Sequence, residues 1–368
     1  MASSSAPSNT LDPTLQSLTK SLAALQAHLS TALPTATNSP SASAVPLDDT
    51  STTALPLLKA SATLLKAQTT KLSLLLLNPP LARPAAHAVL HACEQECVPA
   101  LAAACDAVAA RPDRWPRGVR AEVRSVVRGV VGAFADVVRL VAECAAAQKE
   151  GERFREAVLG STGVLWKGCD GLVAIVDGGV GSVLARKVEQ FAEVLEDARM
   201  ELKDWAVESS ENEDGPLGSG DEDEDGVEAM FGPANGLPKD RKDIQVRLDE
   251  ALRRLRLVRT GYQAMVKRRV NTFPEDGTAE QRKGRVTKVD QLMEYLEKVP
   301  DTVDDLASAF YELDAEDVDT LLEQACSEAR SAASTIELSW DGTEDEFTTW
   351  IRKWADALQP KKSVEKPD

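Results

Sequence analysis

The sequence is poor in aromatic residues, which fill 4% of its 368 positions, while the hydrophobic total is 43%. Alanine, leucine and valine must therefore fill the interior, a composition that suits packed helices and excludes a sheet-rich core. Histidine is scarcer still, with only His28, His87 and His91. With no Gly-x-Ser-x-Gly elbow or other activated nucleophile beside them, these give no Ser-His-Asp or Cys-His apparatus. A Gly-x-x-x-x-Gly-Lys-Ser/Thr phosphate loop is missing, and Gly179-Val180-Gly181 lacks the preceding strand that a dinucleotide loop requires. Positive charge is in deficit: 42 Lys and Arg against 59 Asp and Glu leave a formal charge of −17. That balance argues against coating nucleic acid or an anionic membrane, so nucleic-acid and membrane partners are not expected. The amino terminus has no charged and apolar leader pattern, its first basic residue being Lys20, and the apolar stretch Gly129 to Ala147 is broken by Asp136, Arg139 and Glu143. A soluble intracellular protein is expected, with Cys93, Cys97, Cys105, Cys144, Cys169 and Cys326 as reduced, buried thiols.

What is present is helical periodicity. An amphipathic segment from about Leu11 to Ala32 precedes a Pro/Ser/Thr/Ala connector, Leu33 to Pro46. The pattern then predicts helices from Asp48 to Leu77 (stopped by Asn78-Pro79-Pro80), from Leu81 to Ala110 and from Trp115 to Gln148, and one carrying Leu165, Cys169, Leu172 and Val176 that ends at Asp177-Gly178-Gly179. Leu184, Val188, Phe191, Leu195, Ala198, Leu202 and Trp205 alternate steps of four and three, the seam of a bundle helix. Glu208 to Glu228 holds ten acidic residues, no basic ones and four glycines, and reads as a disordered loop. Beyond it the pattern predicts helices at Ile244 to Met265, Ala279 to Val299, Thr302 to Leu313, Ala315 to Ala333 and Thr343 to Leu358. The fold class is all-α: antiparallel helical bundles, an N-terminal bundle and a C-terminal helical region joined by a disordered acidic loop. The organisation expected is residues 1–47 (helix and linker), 48–207 (N-terminal bundle), 208–236 (acidic loop), 237–358 (C-terminal helical region) and 359–368 (disordered tail).

Charge distribution supplies the candidate contact residues. Lys239 to Arg269 holds eleven basic and four acidic residues, whereas Asp290 to Glu346 holds eighteen acidic and two basic. Arg247, Arg253, Arg254 and Arg256 in the first, Asp304 and Asp305 in the second, and the stripe Arg117, Arg120, Arg124 and Arg128 are candidate partner contacts, against the plainer reading of solvated helix faces. The acidic run Asp221 to Asp225 has the charge and the tether to fold back on the 247–256 arginines. Ser39, before Pro40, and Ser210 and Ser219, each with an acidic residue three places on, are candidate phosphosites. His87, His91 and Glu94 with Cys93 and Cys97 share a helix, but with no second cluster of ligands elsewhere they read as helix-face packing, so no metal or other cofactor is expected.

Three stretches together resemble the cyclin-D-interacting protein family (GCIP, also called cyclin-D-binding protein, Maid or HHM): Ser161-Thr162-Gly163-Val164-Leu165-Trp166 with Cys169-Asp170, the acidic loop after Trp205, and Val303-Asp304-Asp305-Leu306-Ala307 followed by Phe310-Tyr311. The resemblance runs from about Leu55 to Ala333 and implies an all-helical, non-enzymatic regulator, cytoplasmic and nuclear, whose partners are regulatory proteins of cyclin or transcription type. Animal members bind D-type cyclins and lower cyclin-dependent kinase signalling. The residues themselves give a plainer expectation: Trp166, Cys169 and Leu172 plug a core, and Val303, Leu306 and Phe310 form an apolar stripe. The alternative function is a cytoskeletal or scaffold bundle of the vinculin and alpha-catenin type.

Overall fold

The computed structural model describes residues 11–33, 48–147, 151–211, 237–238 and 240–360, and these form helices and no strand. In chain order they are α1 (Leu11–Leu29), α2 (Asp48–Leu77), α3 (Arg83–Ala92), a π-helical turn (Cys93–Cys97), α4 (Val98–Ala109), α5 (Arg117–Ala147), α6 (Glu152–Glu211), α7 (Lys242–Arg268), a short 3-10 turn (Val270–Thr272), α8 (Ala279–Tyr311), α9 (Ala315–Thr335) and α10 (Glu346–Ala357). They form two compact units, Met1–Val183 with Thr278–Val286 and Leu184–Gly277 with Thr287–Asp368. The division falls inside α6 and not in the acidic segment. The Leu184–Trp205 stripe therefore belongs to the second unit, not to the N-terminal bundle in which periodicity places it.

In the first unit, α1 packs on α5 and α2 on α4. Leu18, Leu22, Leu58, Leu65, Leu101, Val123, Phe134 and Leu165 are buried between the helices. The pairing of α2 with the first half of α6 is antiparallel and can be read from its polar contacts. Lys59 meets Asp177, Lys66 meets Asp170 at 2.6 Å, and the buried hydroxyls of Ser73 and Thr162 share a hydrogen bond of 2.6 Å. Pro99 explains the π-helical turn, which interrupts the single helix expected from Leu81 to Ala110. Proline brings no N–H and crowds the carbonyl four residues back, and the Val98 N–H reaches instead to the Cys93 carbonyl five residues back, widening the helix ahead of the ring.

Gly179 breaks α6 with φ 68° and ψ −176°, a conformation that only glycine adopts without strain. What reads as an interhelical turn is a kink between two helical runs. Residues 152–207 are also long and apolar enough, by length and composition, to cross a membrane, with 39% of the qualifying window buried. This is a different segment from Gly129–Ala147, and its Asp170 and Asp177 are paired to lysines of α2.

In the second unit Leu195, Leu202, Leu255, Val303, Leu306 and Phe310 are buried. The helix expected to end at Val299 runs through Pro300 to Tyr311. Proline cannot donate to the carbonyl of Leu296, and the buried Tyr262 hydroxyl donates to that oxygen instead, at 3.0 Å. Arg269, 3% exposed, ties the far end of the unit together. Its guanidinium donates to both Asp345 oxygens at 2.8 Å and to the carbonyls of Ile336, Glu337 and Leu338, and it lies 4.4 Å from the Phe347 ring centroid. Asp345 caps α10, forming a capping box with Thr348. Trp354 packs closely against buried Gly261 and donates its Nε1–H to the Leu257 carbonyl at 2.7 Å.

Candidate functional site

The arginine stripe of α5 divides between interior and surface. Helical spacing puts Arg117, Arg120, Arg124 and Arg128 within one broad face, but α1 packs over the middle of it. Arg124 is buried and donates to the carbonyls of His28 and Leu29 and to the Thr31 hydroxyl, closing the end of α1. Arg120, 6% exposed, donates to the carbonyls of Trp115 and Ala109, fastening the turn between α4 and α5. Both are corrected from contact residues to structural ones, because their donors satisfy helix-end carbonyls that no sequence pattern displays. Arg117 and Arg128 are exposed and remain candidates.

The 161–170 motif divides in the same way. Leu165 and Cys169 are in the core, Thr162 bonds Ser73, and Asp170 pairs with Lys66. Gly168 lets α6 approach α5 closely, since a Cβ there would stand 2.8 Å from a methyl of Val130. Trp166, expected in the core, is half-buried with the Lys66 ammonium 5.8 Å from its ring. Gly163, Val164 and Lys167 face outward.

Around the π-helical turn, the Cys93 and Cys97 thiols are buried and hydrogen-bonded to each other. That bond, with burial, pushes the Cys93 thiol up, and the same bond pulls Cys97 below its ordinary value. Burial raises Cys105 and Cys326 to about 11 and Cys169 to about 12. All six cysteines are buried, and none is joined in a disulfide. The His87 and His91 rings stack 5.8 Å apart, and Glu94 accepts a hydrogen bond from Ser17 at 2.6 Å. Among the described residues no group of three His, Cys, Asp or Glu side chains is placed to hold a metal ion.

In the second unit, Arg254 is buried and donates to Glu323 at 2.6 Å and to the Leu358 carbonyl, so it too is structural. Arg247 pairs with Asp319 at 2.8 Å and Arg253 with Glu250, which leaves Arg256 exposed. An acidic segment folding back here would have to displace carboxylates already in place. That segment from residue 212 to 236, the 34–47 connector and the 361–368 tail lie outside the described residues, as do Ser39 and Ser219. Ser210 falls in the last turn of α6, which extends to Glu211 rather than ending at residue 207.

Asp304 and Asp305 are exposed on α8, on the side opposite buried Val303 and Leu306. Burial, then the neighbouring charges of Asp301, Asp305 and Glu201, raises the Asp304 carboxyl above its usual range. Beside it the Tyr311 hydroxyl donates to Glu201 at 3.0 Å, and burial with that bond lifts the phenol to about 12. The Tyr311 ring stands edge-on to Trp205 at 5.4 Å. Sequence reasoning missed Glu201 and Tyr311 as members of this surface, because their partners lie about a hundred residues away.

These features define an all-α protein whose candidate surfaces are charged and apolar helix faces. Residues 57–208 match the model of a family described as Grap2 and cyclin-D-interacting, N-terminal. An uncharacterized protein of Schizosaccharomyces pombe is 26% identical over 194 residues, 52% of this chain and 52% of that protein, so the chain spans about half the length of the curated relative it matches.

Proposed function

We propose that this chain is a non-catalytic helical adaptor that binds a regulatory protein of the D-type cyclin class and restrains cell-cycle progression or transcription, in cytoplasm and nucleus. The observation that carries the reading is the family match over residues 57–208, which takes in α2 from Leu57 onward, the whole of α3 to α5 and α6 as far as Glu208. Within that stretch Arg117 and Arg128 present exposed guanidinium groups on α5, suited to carboxylates on a partner. The test is binding of the full chain to a purified D-type cyclin, with Arg117→Glu/Arg128→Glu as the variant. Saturable binding that falls at least about tenfold in the double variant, with melting unchanged, supports the reading. No binding to cyclin, together with actin or adhesion proteins as the dominant neighbours in proximity labelling, replaces it with the scaffold function.

A further inference from the structure

The helix α2 is apolar on two sides. Its inner stripe, including Leu58, Leu65, Leu72 and Leu76, is buried in the first unit. On its outer side Leu57, Ala60, Leu64, Ala67, Lys71 and Leu74 follow one another at alternating steps of three and four, and all six are exposed. Leu57 is 40%, Leu64 37% and Leu74 57% open to solvent. Alternating three and four is the spacing of a coiled-coil seam. A helix that is apolar all round is ordinarily buried all round, and here one of its two seams is covered.

The charges on α2 say what kind of surface would cover the other. From Thr50 to Leu77 there is no carboxylate, although the chain as a whole carries −17; there are three lysines. Lys59 and Lys66 turn toward α6 and are neutralised by Asp177 and Asp170. Lys71, inside the outer stripe, donates to the neutral amide oxygen of Gln68 at 3.1 Å. A second copy of residues 50–77 laid on this seam would add lysines and no carboxylate. We propose that the outer face of α2 is a docking seam for an amphipathic helix of another protein, one with leucine-type residues at heptad spacing and Asp or Glu set against Lys71. The seam is legible without reference to cyclin, so its failure and that of the cyclin reading are separable: the probes below contain no cyclin sequence.

The probes are three synthetic helical peptides of three heptads each. One has leucine at the seam positions and glutamate flanks, one has leucine with lysine flanks, and one has serine at the seam positions with glutamate flanks. Binding to the full chain is followed by fluorescence anisotropy. The result expected is saturable binding of the leucine–glutamate peptide alone, weakened at least about tenfold by Leu64→Glu, with preference passing to the leucine–lysine peptide in Lys71→Glu. Because Leu64 and Leu74 are already exposed, Leu64→Glu should keep the wild-type melting curve, and Leu74→Glu serves as a second variant should the first not fold. No binding, or binding that Leu64→Glu leaves unchanged, overturns the proposal. So does a wild-type dimer in sedimentation that Leu64→Glu converts to monomer, since the seam would then belong to a second copy.

Discussion

The passage of α8 through Pro300 rests on one hydroxyl, and that dependence can be measured. Leu296 lies four residues before Pro300, so in an ordinary helix its carbonyl would accept from the residue that here has no N–H; Tyr262, 1% exposed, donates to it from α7. Tyr262→Phe removes the donor without changing the ring. It leaves a buried carbonyl without that bond and should cost about 1–3 kcal/mol. Pro300→Ala returns an N–H to position 300, so in that background Tyr262→Phe should cost little. The two substitutions should therefore couple by about 1 kcal/mol or more. Urea unfolding of the full chain, with hydrogen exchange at α7 and at residues 287–311 of α8 to report the second unit alone, gives the four free energies of the cycle. Effects that add to within about 0.5 kcal/mol would refute the reasoning. Burial also pushes the Tyr262 phenol far above its ordinary value. A raised folded value means that the hydroxyl's contribution is whole below the unfolded value of about 10 and is lost as pH rises beyond it. Tyr262→Phe should remove that part of the alkaline decline.

Gly261→Ala should lower the melting temperature, although helix propensity alone predicts a gain of about 1 kcal/mol. A Cβ there would stand 2.2 Å from the Trp354 ring, which must move off α7, and Gly261→Ala with Trp354→Leu should recover most of the loss in calorimetry. Asp345→Asn keeps an N-cap for α10 but removes the charge facing Arg269, and should cost about 1 kcal/mol at neutral pH because Asp345 is 39% exposed. The hydrogen bonds from Arg269 hold the Asp345 carboxyl well below its usual range, so its contribution is present above the unfolded value of about 3.9 and lost as pH falls through the folded one. The variant should thus show a flatter acid limb in a pH series of melts. Leu195→Asp places a charge at a position 1% exposed and should cost several kcal/mol, with exchange protection lost in α7 to α10 and retained in α2 to α5; loss in α2 to α5 first would contradict the assignment of the stripe to the second unit.

Most of the helices were legible because each carries its own period. The buried positions of α5, from Val123 through Phe134 to Cys144, recur at steps of three and four that need no knowledge of a neighbour. Where the reading departs from the structure, a distant residue decides the matter. Pro300 looks like a helix end until Tyr262 is known to take the place of its missing N–H. Pro99 was itself the available signal for an irregular turn, but the Cys93 carbonyl that makes the turn tolerable is backbone and leaves no mark in composition.

The same asymmetry limits how a contact surface can be read. Arg120, Arg124 and Arg128 are alike in type and evenly spaced, yet two of them close helix ends and one faces water, and the difference lies in where α1 and the α4–α5 turn leave carbonyls without donors. Charge alone therefore overcounts contact residues in a helical protein, since guanidinium groups also serve as caps for helices that lack their own. Apolar spacing undercounts them for a related reason. In α2 both the inner and the outer stripe satisfy the heptad, and the sequence does not say which of them the rest of the chain will cover. Only the packing of α4 and α6 against one side shows that Leu57, Leu64 and Leu74 remain on the other.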